Sequence, residues 1–314
     1  MTTTVPAPGT AWPTTAVVGL GAMGAPMARL LAEAGVPLLL VDAAPGQAEQ
    51  AAACCRGART TDLAGAAAAE VVLLMLPDSD VVEAVLDGAG LLDALAPGSL
   101  ILDMGSSAPP RTVVLAERAA ARGVDLVDAP VSGGVAKART GKLAVMAGGS
   151  DDAVARARPL LEVLGATITH TGPAGTGHAM KALNNLLSAI GLLGAVEVLS
   201  LGARFGLDPS VMLDVLNGST GENQATRVKC DRFVLSRAFD SGFAMRLMVK
   251  DLTTATELGR ALGVEPALGE LCRSLWAQTA DRLGPAADHT EIARLAEERA
   301  GVELHRNPDR KGHG

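Results

Sequence analysis

The chain of 314 residues contains no tyrosine, and besides five histidines it has only four phenylalanines and two tryptophans. A phenolic base is therefore excluded from whatever chemistry the protein performs. Cysteine is nearly as scarce, with Cys54, Cys55, Cys230 and Cys272. None forms a C-x-x-C pair, and adjacent Cys54 and Cys55 make poor disulfide partners. Reduced thiols in the cytoplasm are expected, with no cysteine-rich metal site. Positive charge is also short: 27 Lys and Arg against 34 Asp and Glu leave a net charge of −7. With no basic block, a nucleic-acid partner is not expected. No apolar run looks long enough for a membrane span, because Lys181 and Glu197 bracket the best one and Asn184 and Asn185 interrupt it. The opening MTTTVPAPGTAWPT lacks the basic start and apolar centre of a signal peptide. Residues 1–14 are expected to form a disordered leader, and residues 305–314 a disordered tail.

A hydrophobic content of 48% against 19% charge allows a sizeable core. Residues 15–42 run strand, glycine turn, helix, strand: TTAVVGL, GAMGAPMARLLAEAG, VPLLLVD. EVVLLMLP, SLILDMG, VDLVDAP, LAVMAGG and GATITHTG follow as short apolar runs of the kind that form buried strands, with helical stretches between them. Asp78 or Ser79 suits the cap of one helix, and Pro109 opens another that stops before Gly123. Beyond Gly172 only helical periodicity remains, over 179–205, 209–217, 220–237, 247–262, 266–282 and 288–300. The expected fold is α/β plus all-α: a Rossmann-type, doubly wound, mostly parallel sheet over 15–174, then an all-helical domain over 175–304.

Gly19, Gly21 and Gly24 form G-x-G-x-x-G between the first strand and the first helix. That context suits a dinucleotide pyrophosphate, which needs close backbone approach and a helix N-terminus. Asp42 closes the next strand, where a carboxylate would bind the adenosine ribose. A carboxylate there disfavours a 2′-phosphate, and Ala43 and Ala44 offer no arginine to hold one. NAD is expected over NADP; FAD shares the turn and stays an alternative.

The stretch AMKALNNLLSAIGLLGAVEVL (179–199) sets one lysine in a greasy helix. Six lysines against 21 arginines show that this chain normally supplies cationic charge as arginine, which cannot accept a proton near neutral pH. At about 100° per residue, Asn185 lies roughly 40° from Lys181, Ser188 roughly 20° to its other side, and Asn184 about 60° off. Lys181 reads either as a proton acceptor on a polar stripe or as a side chain reaching solvent from the helix start. If a bound nicotinamide takes hydride from an alcohol, a base is required. Zinc chemistry lacks ligands here and a tyrosine base is absent. His170 and His178 are open as bases, though surface or hinge roles suit both.

Four stretches in order resemble the β-hydroxyacid dehydrogenases: GLGAMGAPMA (19–28), DAPVSGGVAKARTGKL (128–143), GTGHAMKALNN (175–185) and FAMRLMVKDL (243–252). MLP (75–77) and DMGSSAPP (103–110) fit the same scheme. The resemblance covers about residues 15 to 304. It implies Lys181 as general base, Asn185 as its substrate-orienting partner, and Ser132, Gly133 and Gly134 as the loop holding the substrate carboxylate. It also implies cofactor contacts from Gly19, Leu20, Gly21, Ala22, Met23, Gly24, Asp42, Leu76, Pro77 and Ser106. Lys250 is implied on the nicotinamide side, and Asp251 as a brace of the second domain. Phe243 and Trp276 are expected to wall the substrate pocket.

The implied reaction moves hydride between the β-carbon of a small 3-hydroxy acid and NAD, with no metal. Lysine ordinarily titrates near about 10.4, so a base role needs desolvation or nearby positive charge. Lys137 follows the glycine pair in a G-G-x-x-K-A form similar to threonate-type members, or is simply solvated. An imine reductase shares the glycine turn but typically lacks the Lys181 equivalent. A non-catalytic nucleotide-binding module would be expected to lose the Lys, Asn or Ser retained here. A cytoplasmic homodimer or homotetramer without membrane contact is expected.

Overall fold

The computed structural model describes residues 11–284 and 286–306. The chain forms two compact units, one ending at Lys181 and the other beginning at Ala182. The first unit holds β1 (Thr15–Val18), α1 (Gly24–Glu33), β2 (Leu38–Val41), α2 (Gln47–Ala53), β3 (Arg59–Thr60), α3 (Leu63–Ala66), β4 (Val71–Leu74), α4 (Ser79–Glu83), α5 (Leu91–Ala94) and β5 (Leu100–Asp103). Then follow α6 (Pro109–Ala120), β6 (Asp125–Asp128), β7 (Val131–Ser132), α7 (Gly134–Ala138), β8 (Leu143–Gly148), α8 (Asp151–Leu164) and β9 (Gly165–Gly172).

One sheet runs in the order β3-β2-β1-β4-β5-β6-β8-β7, with β9 beside β8. The pairs from β3 through β6 are parallel, and β8 runs antiparallel to β6 and β7. Strands β1, β2, β4 and β5 are buried on both faces because alternate residues enter two separate cores. Val17, Leu40, Leu73 and Leu102 pack on α1 and α8, whereas Val18, Val41, Leu74 and Ile101 pack on the opposite layer. The sheet order reverses between β1 and β4, and in such sheets ligands bind beyond the carboxyl ends of the strands at that point. The Asp78 side chain caps α4 by accepting from Val81 N, as its position suggested.

The second unit is helical: the greater part of α9 (Thr176–Phe205), then α10 (Pro209–Asn217), a π-helix over Ala225–Leu235, α11 (Met245–Ala261), α12 (Ala267–Leu283), a 3₁₀ turn (His289–Ile292) and α13 (Ala293–Ala300). Ala189, Leu192, Val196 and Leu199 of α9 enter its core with fully buried Trp276.

Several expectations need correction. Residues 11–14 are not frayed: Trp12 packs on the first unit's core, and Thr14 exchanges hydrogen bonds with Glu70. Arg306, assigned to the disordered tail, ion-pairs with Asp231 and donates its backbone N–H to Leu235. The rest of the expected leader (1–10) and tail (307–314) lies outside the described residues. Within the window 220–237 a π-helix occupies Ala225–Leu235, and 288–300 breaks into a 3₁₀ turn and a helix where Asp288 caps with a reciprocal Glu291 bond. The long helix starts at Thr176, and by length and composition it is apolar enough to cross a membrane, with 33% of its best window buried. Two charged residues near that window had hidden this. Its buried face makes it the core helix of the second unit.

Candidate active site

The glycine turn follows β1 into α1, and each glycine has its own reason to lack a side chain. Gly19 sits at φ 93°, where its Cβ would come within 2.5 Å of the Met75 carbonyl. A Cβ on Gly24 would run into the Gly19 carbonyl. Gly21 is exposed with nothing within 4 Å of its would-be Cβ. Two glycines thus shape the turn, and the third leaves open backbone at the start of α1, a cradle that fits a pyrophosphate. Ala22 is exposed beside it and Met23 half-buried.

Asp42 stands just past β2, its Oδ2 accepting from Leu20 N at 2.6 Å and its Oδ1 from Ala44 N at 2.8 Å. A carboxylate has about four acceptor positions. Asp42 can therefore brace the turn and still accept from ribose hydroxyls. Leu20 fits its expected role less well. Its side chain is fully buried, its N–H serves Asp42, and its carbonyl accepts from Gln47 Nε2 at 2.6 Å. Gln47, which no sequence signal marked, is a second brace of the turn. Leu76 reaches within 3.0 Å of the Cβ that Gly19 lacks, and the Leu76 carbonyl would lie 2.6 Å from one on Gly105. The segments carrying Leu76–Pro77 and Ser106 therefore converge with the glycine turn at the carboxyl ends of β1, β4 and β5.

Ser132 ends β7 half-buried, and the exposed Gly133 and Gly134 open α7 at φ 133° and 66°. Lys137 folds its stem back on Gly133, where its Cδ would be 2.6 Å from an added Cβ. Its ammonium is thereby carried on the same turn as the expected carboxylate loop.

A buried polar cluster seats the helix that carries Lys181. Asp128, at the end of β6 and fully buried, accepts from Gly175 N at 2.7 Å and from His178 N at 2.8 Å. It acts as an N-terminal cap donated by another strand, where a carboxylate also meets the positive end of the helix. Gly177 must be glycine, since its Cβ would lie 2.5 Å from the Asp128 carbonyl. Burial pushes the Asp128 carboxyl above the usual carboxylate range, against the lowering pull of His178 and the two N–H donors. His178 lies fully buried between two carboxylates, Nε2 3.7 Å from Asp103 and Nδ1 3.8 Å from Asp128, with Nδ1 bonded to Thr112 Oγ1 at 2.8 Å. It is neither a surface histidine nor a base open to substrate. His170 stays part-exposed, its Nε2 on the carbonyls of Gly149 and Gly172.

Lys181 is half-buried. One turn on, Asn185 is 7% exposed, and its Nδ2 donates to Asp251 Oδ2 at 2.5 Å. A carboxylate can only accept, so the Asn185 nitrogen faces Asp251 and its Oδ1 turns the other way, where Asn184 Nδ2 donates to it at 3.2 Å. Lys250 Nζ lies 3.2 Å from the second oxygen of Asp251. Asp251 is thus tied directly to two expected site residues. Phe243 is half-buried, edge-on to His289. Trp276 has no exposed surface and walls no pocket; its ring stacks on His289 inside the core. Among the described residues no cluster of metal-ligating side chains occurs.

The chain matches two family models. Residues 14–172 match the NAD-binding domain of 6-phosphogluconate dehydrogenase, and residues 175–296 the NAD-binding model of NADP-dependent 3-hydroxyisobutyrate dehydrogenase. It is 39% identical to 2-(hydroxymethyl)glutarate dehydrogenase of Eubacterium barkeri over 77% of this chain and 81% of that one. It is also 39% identical to NAD-dependent L-serine dehydrogenase of Pseudomonas aeruginosa, over 83% and 90%. The solved structure of Mycobacterium tuberculosis 3-hydroxyisobutyrate dehydrogenase with L-serine aligns with a TM-score of 0.85 at 32% identity, covering 91% of this chain and 99% of that one.

Proposed function

The chain belongs to the β-hydroxyacid dehydrogenase family, and from that premise we propose that Lys181 is its general base and acid, with Asn185 aiming the substrate hydroxyl. The protein is an NAD(P)-dependent oxidoreductase acting on a small hydroxy acid. When bound, the nicotinamide cofactor supplies the hydride acceptor. The cradle of Gly19, Gly21, Ala22, Met23 and Gly24 would hold its pyrophosphate, Asp42 its ribose, and Leu76, Pro77 and Ser106 the strand-end wall. NAD is the preferred form, because Asp42 disfavours a 2′-phosphate.

Ser132, Gly133 and Gly134 hold the substrate carboxylate through the hydroxyl and open backbone N–H groups. Lys181 Nζ accepts the β-hydroxyl proton as hydride leaves the β-carbon, and Asn185, one helical turn on and held by Asp251, orients the substrate beside it. In the reverse direction Lys181 returns that proton. Phe243 lines the substrate and Lys250 the nicotinamide side. The observation that carries this reading is the Asn185–Asp251 bond, which sets the direction of the amide one helical turn from Lys181. The substrates named for the relatives, 3-hydroxyisobutyrate, L-serine and 2-(hydroxymethyl)glutarate, define the class to assay.

In steady-state kinetics, Lys181→Ala should lower kcat by about 10²–10⁴-fold while NAD affinity by calorimetry stays within about twofold. Turnover near the wild-type value in that variant removes Lys181 as the base. We also assign the protein to the cytoplasm as a homodimer or homotetramer. Met180, Leu183, Leu187, Val198, Leu201 and Phe205 form an exposed apolar stripe at helical spacing along α9, a surface suited to a second copy.

A further inference from the structure

The reaction above gives Lys137 no part, although the residue sits on the loop assigned to the substrate carboxylate. It falls in α7, three residues past Gly134. A helical side chain leans toward the N-terminus of its helix, which here means back over the glycine pair. The stem follows that lean: a Cβ on Gly133 would stand 2.9 Å from Lys137 Cβ, 3.1 Å from Cγ and 2.6 Å from Cδ. The stem therefore lies along Gly133. Two further bonds of about 1.5 Å keep Nζ within about 3 Å of Cδ, at the edge of the loop. Gly133 and Gly134 are both exposed, and nothing stands within 4 Å of the Cβ that Gly134 lacks. The loop thus has a lysine along one side and open space on the other.

The charge around it is one-sided. Between Asp128 and Asp151 the chain carries Lys137, Arg139 and Lys142 and no acid, in a protein of net charge −7. Among the described residues none of these three cations ion-pairs with a carboxylate. Arg29, which reaches the Arg139 carbonyl, is by contrast tied to Glu33. An acidic protein repels an anion over most of its surface, and a local cationic stretch reverses that. The Ser132 hydroxyl and the glycine N–H groups can donate hydrogen bonds but bring no charge. Lys137 is placed to bring it.

We propose that Lys137 is a specificity-determining residue, whose ammonium pairs with the substrate carboxylate held at Ser132–Gly134. The enzyme then selects acids over their neutral isosteres by charge as well as by shape. A carboxylate has about four acceptor positions, so one can meet the Ser132 hydroxyl, a backbone N–H and the ammonium together. Ser132, the glycine pair and Lys137 all belong to the first unit. The proposal rests on the reading of that loop given above, and adds a cation to it.

The test compares 3-hydroxyisobutyrate with its neutral amide, 3-hydroxyisobutyramide. Lys137→Ala should raise KM for the acid about five- to tenfold, with kcat within about twofold and the amide's KM unmoved. Lys137→Arg should recover most of the loss, because the guanidinium keeps the charge. Lys142→Ala, which takes a cation from the same stretch, should move KM by less than about twofold. Equal losses for acid and amide, or a fall in kcat at constant KM, indicate a structural role for the stem and overturn the proposal. A Lys142→Ala effect as large as that of Lys137→Ala indicates a diffuse field and overturns it too. Isobutyrate, which keeps the carboxylate and lacks the hydroxyl, reads the contact without turnover when titrated against the NAD-saturated enzyme. Its Kd should rise about five- to tenfold in Lys137→Ala, and an unchanged Kd overturns the contact. If isobutyrate responds as expected while no hydroxy acid is oxidised, the Lys137 contact stands and the reaction assigned to Lys181 fails.

Discussion

Individual side chains in this protein do double duty, and Asp42 is the clearest case. Its two oxygens hold Leu20 and Ala44, and the function proposed above also gives it the choice between cofactors. Asp42→Ala should therefore weaken both cofactors through the loosened turn, but NAD more. The ratio of kcat/KM for NAD over NADP should fall at least tenfold, and an unchanged ratio would show that Asp42 only braces the turn. The candidates at this scale, though not their roles, could be picked out in the sequence. Lys181 and Asn185 stood out because a helical period sets them one turn apart on an apolar helix, and Gly19, Gly21 and Gly24 because strand and helix flank them. The ties that aim these groups were not legible: Asp251 lies 66 residues from Asn185, and no local pattern announces a bond over that distance. Trp276 misled for the opposite reason. An aromatic ring in a chain with few of them looked like a pocket wall, and it is core.

Among the elements, α9 depends on how its first turn is seated. Asp128 caps it from β6, and Gly148 and Gly177 let the backbones meet: a Cβ on Gly148 would lie 2.8 Å from Gly177 N. Gly177→Ala should lower stability by about 1–3 kcal/mol through overpacking, and should cut kcat more than it changes NAD binding. Denaturant melts and calorimetry on the same preparation separate these effects, and an unaltered melt would show that the contact is soft. The strands were readable because residues buried on both faces give unbroken apolar runs, and the mostly parallel sheet followed from their alternation with helices. The π-helix was not readable, since the spacing in ATRVKCDRFVL fits an ordinary helix over so few turns. Short β3 and β7, at two residues each, carry too little pattern to be seen.

For the whole molecule, the apolar stripe along α9 makes the strongest demand. Leu187 is 71% exposed and Phe205 87%, more apolar surface than a lone chain ordinarily leaves in water. Light scattering at micromolar concentration should give a dimer or tetramer, and Leu187→Glu with Leu201→Glu should give smaller species; a monomeric wild type would refute the assembly. Each unit also owns one of the two tryptophans: Trp12 lies against the first core, and Trp276 is sealed in the second, stacked on His289 with ring centroids 6.4 Å apart. With no tyrosine to contribute, ultraviolet emission comes from one indole per unit. Trp12→Phe would leave a chain whose fluorescence reports the helical unit alone, with a quencher already installed, since His289 beside that indole gains its proton only near pH 4.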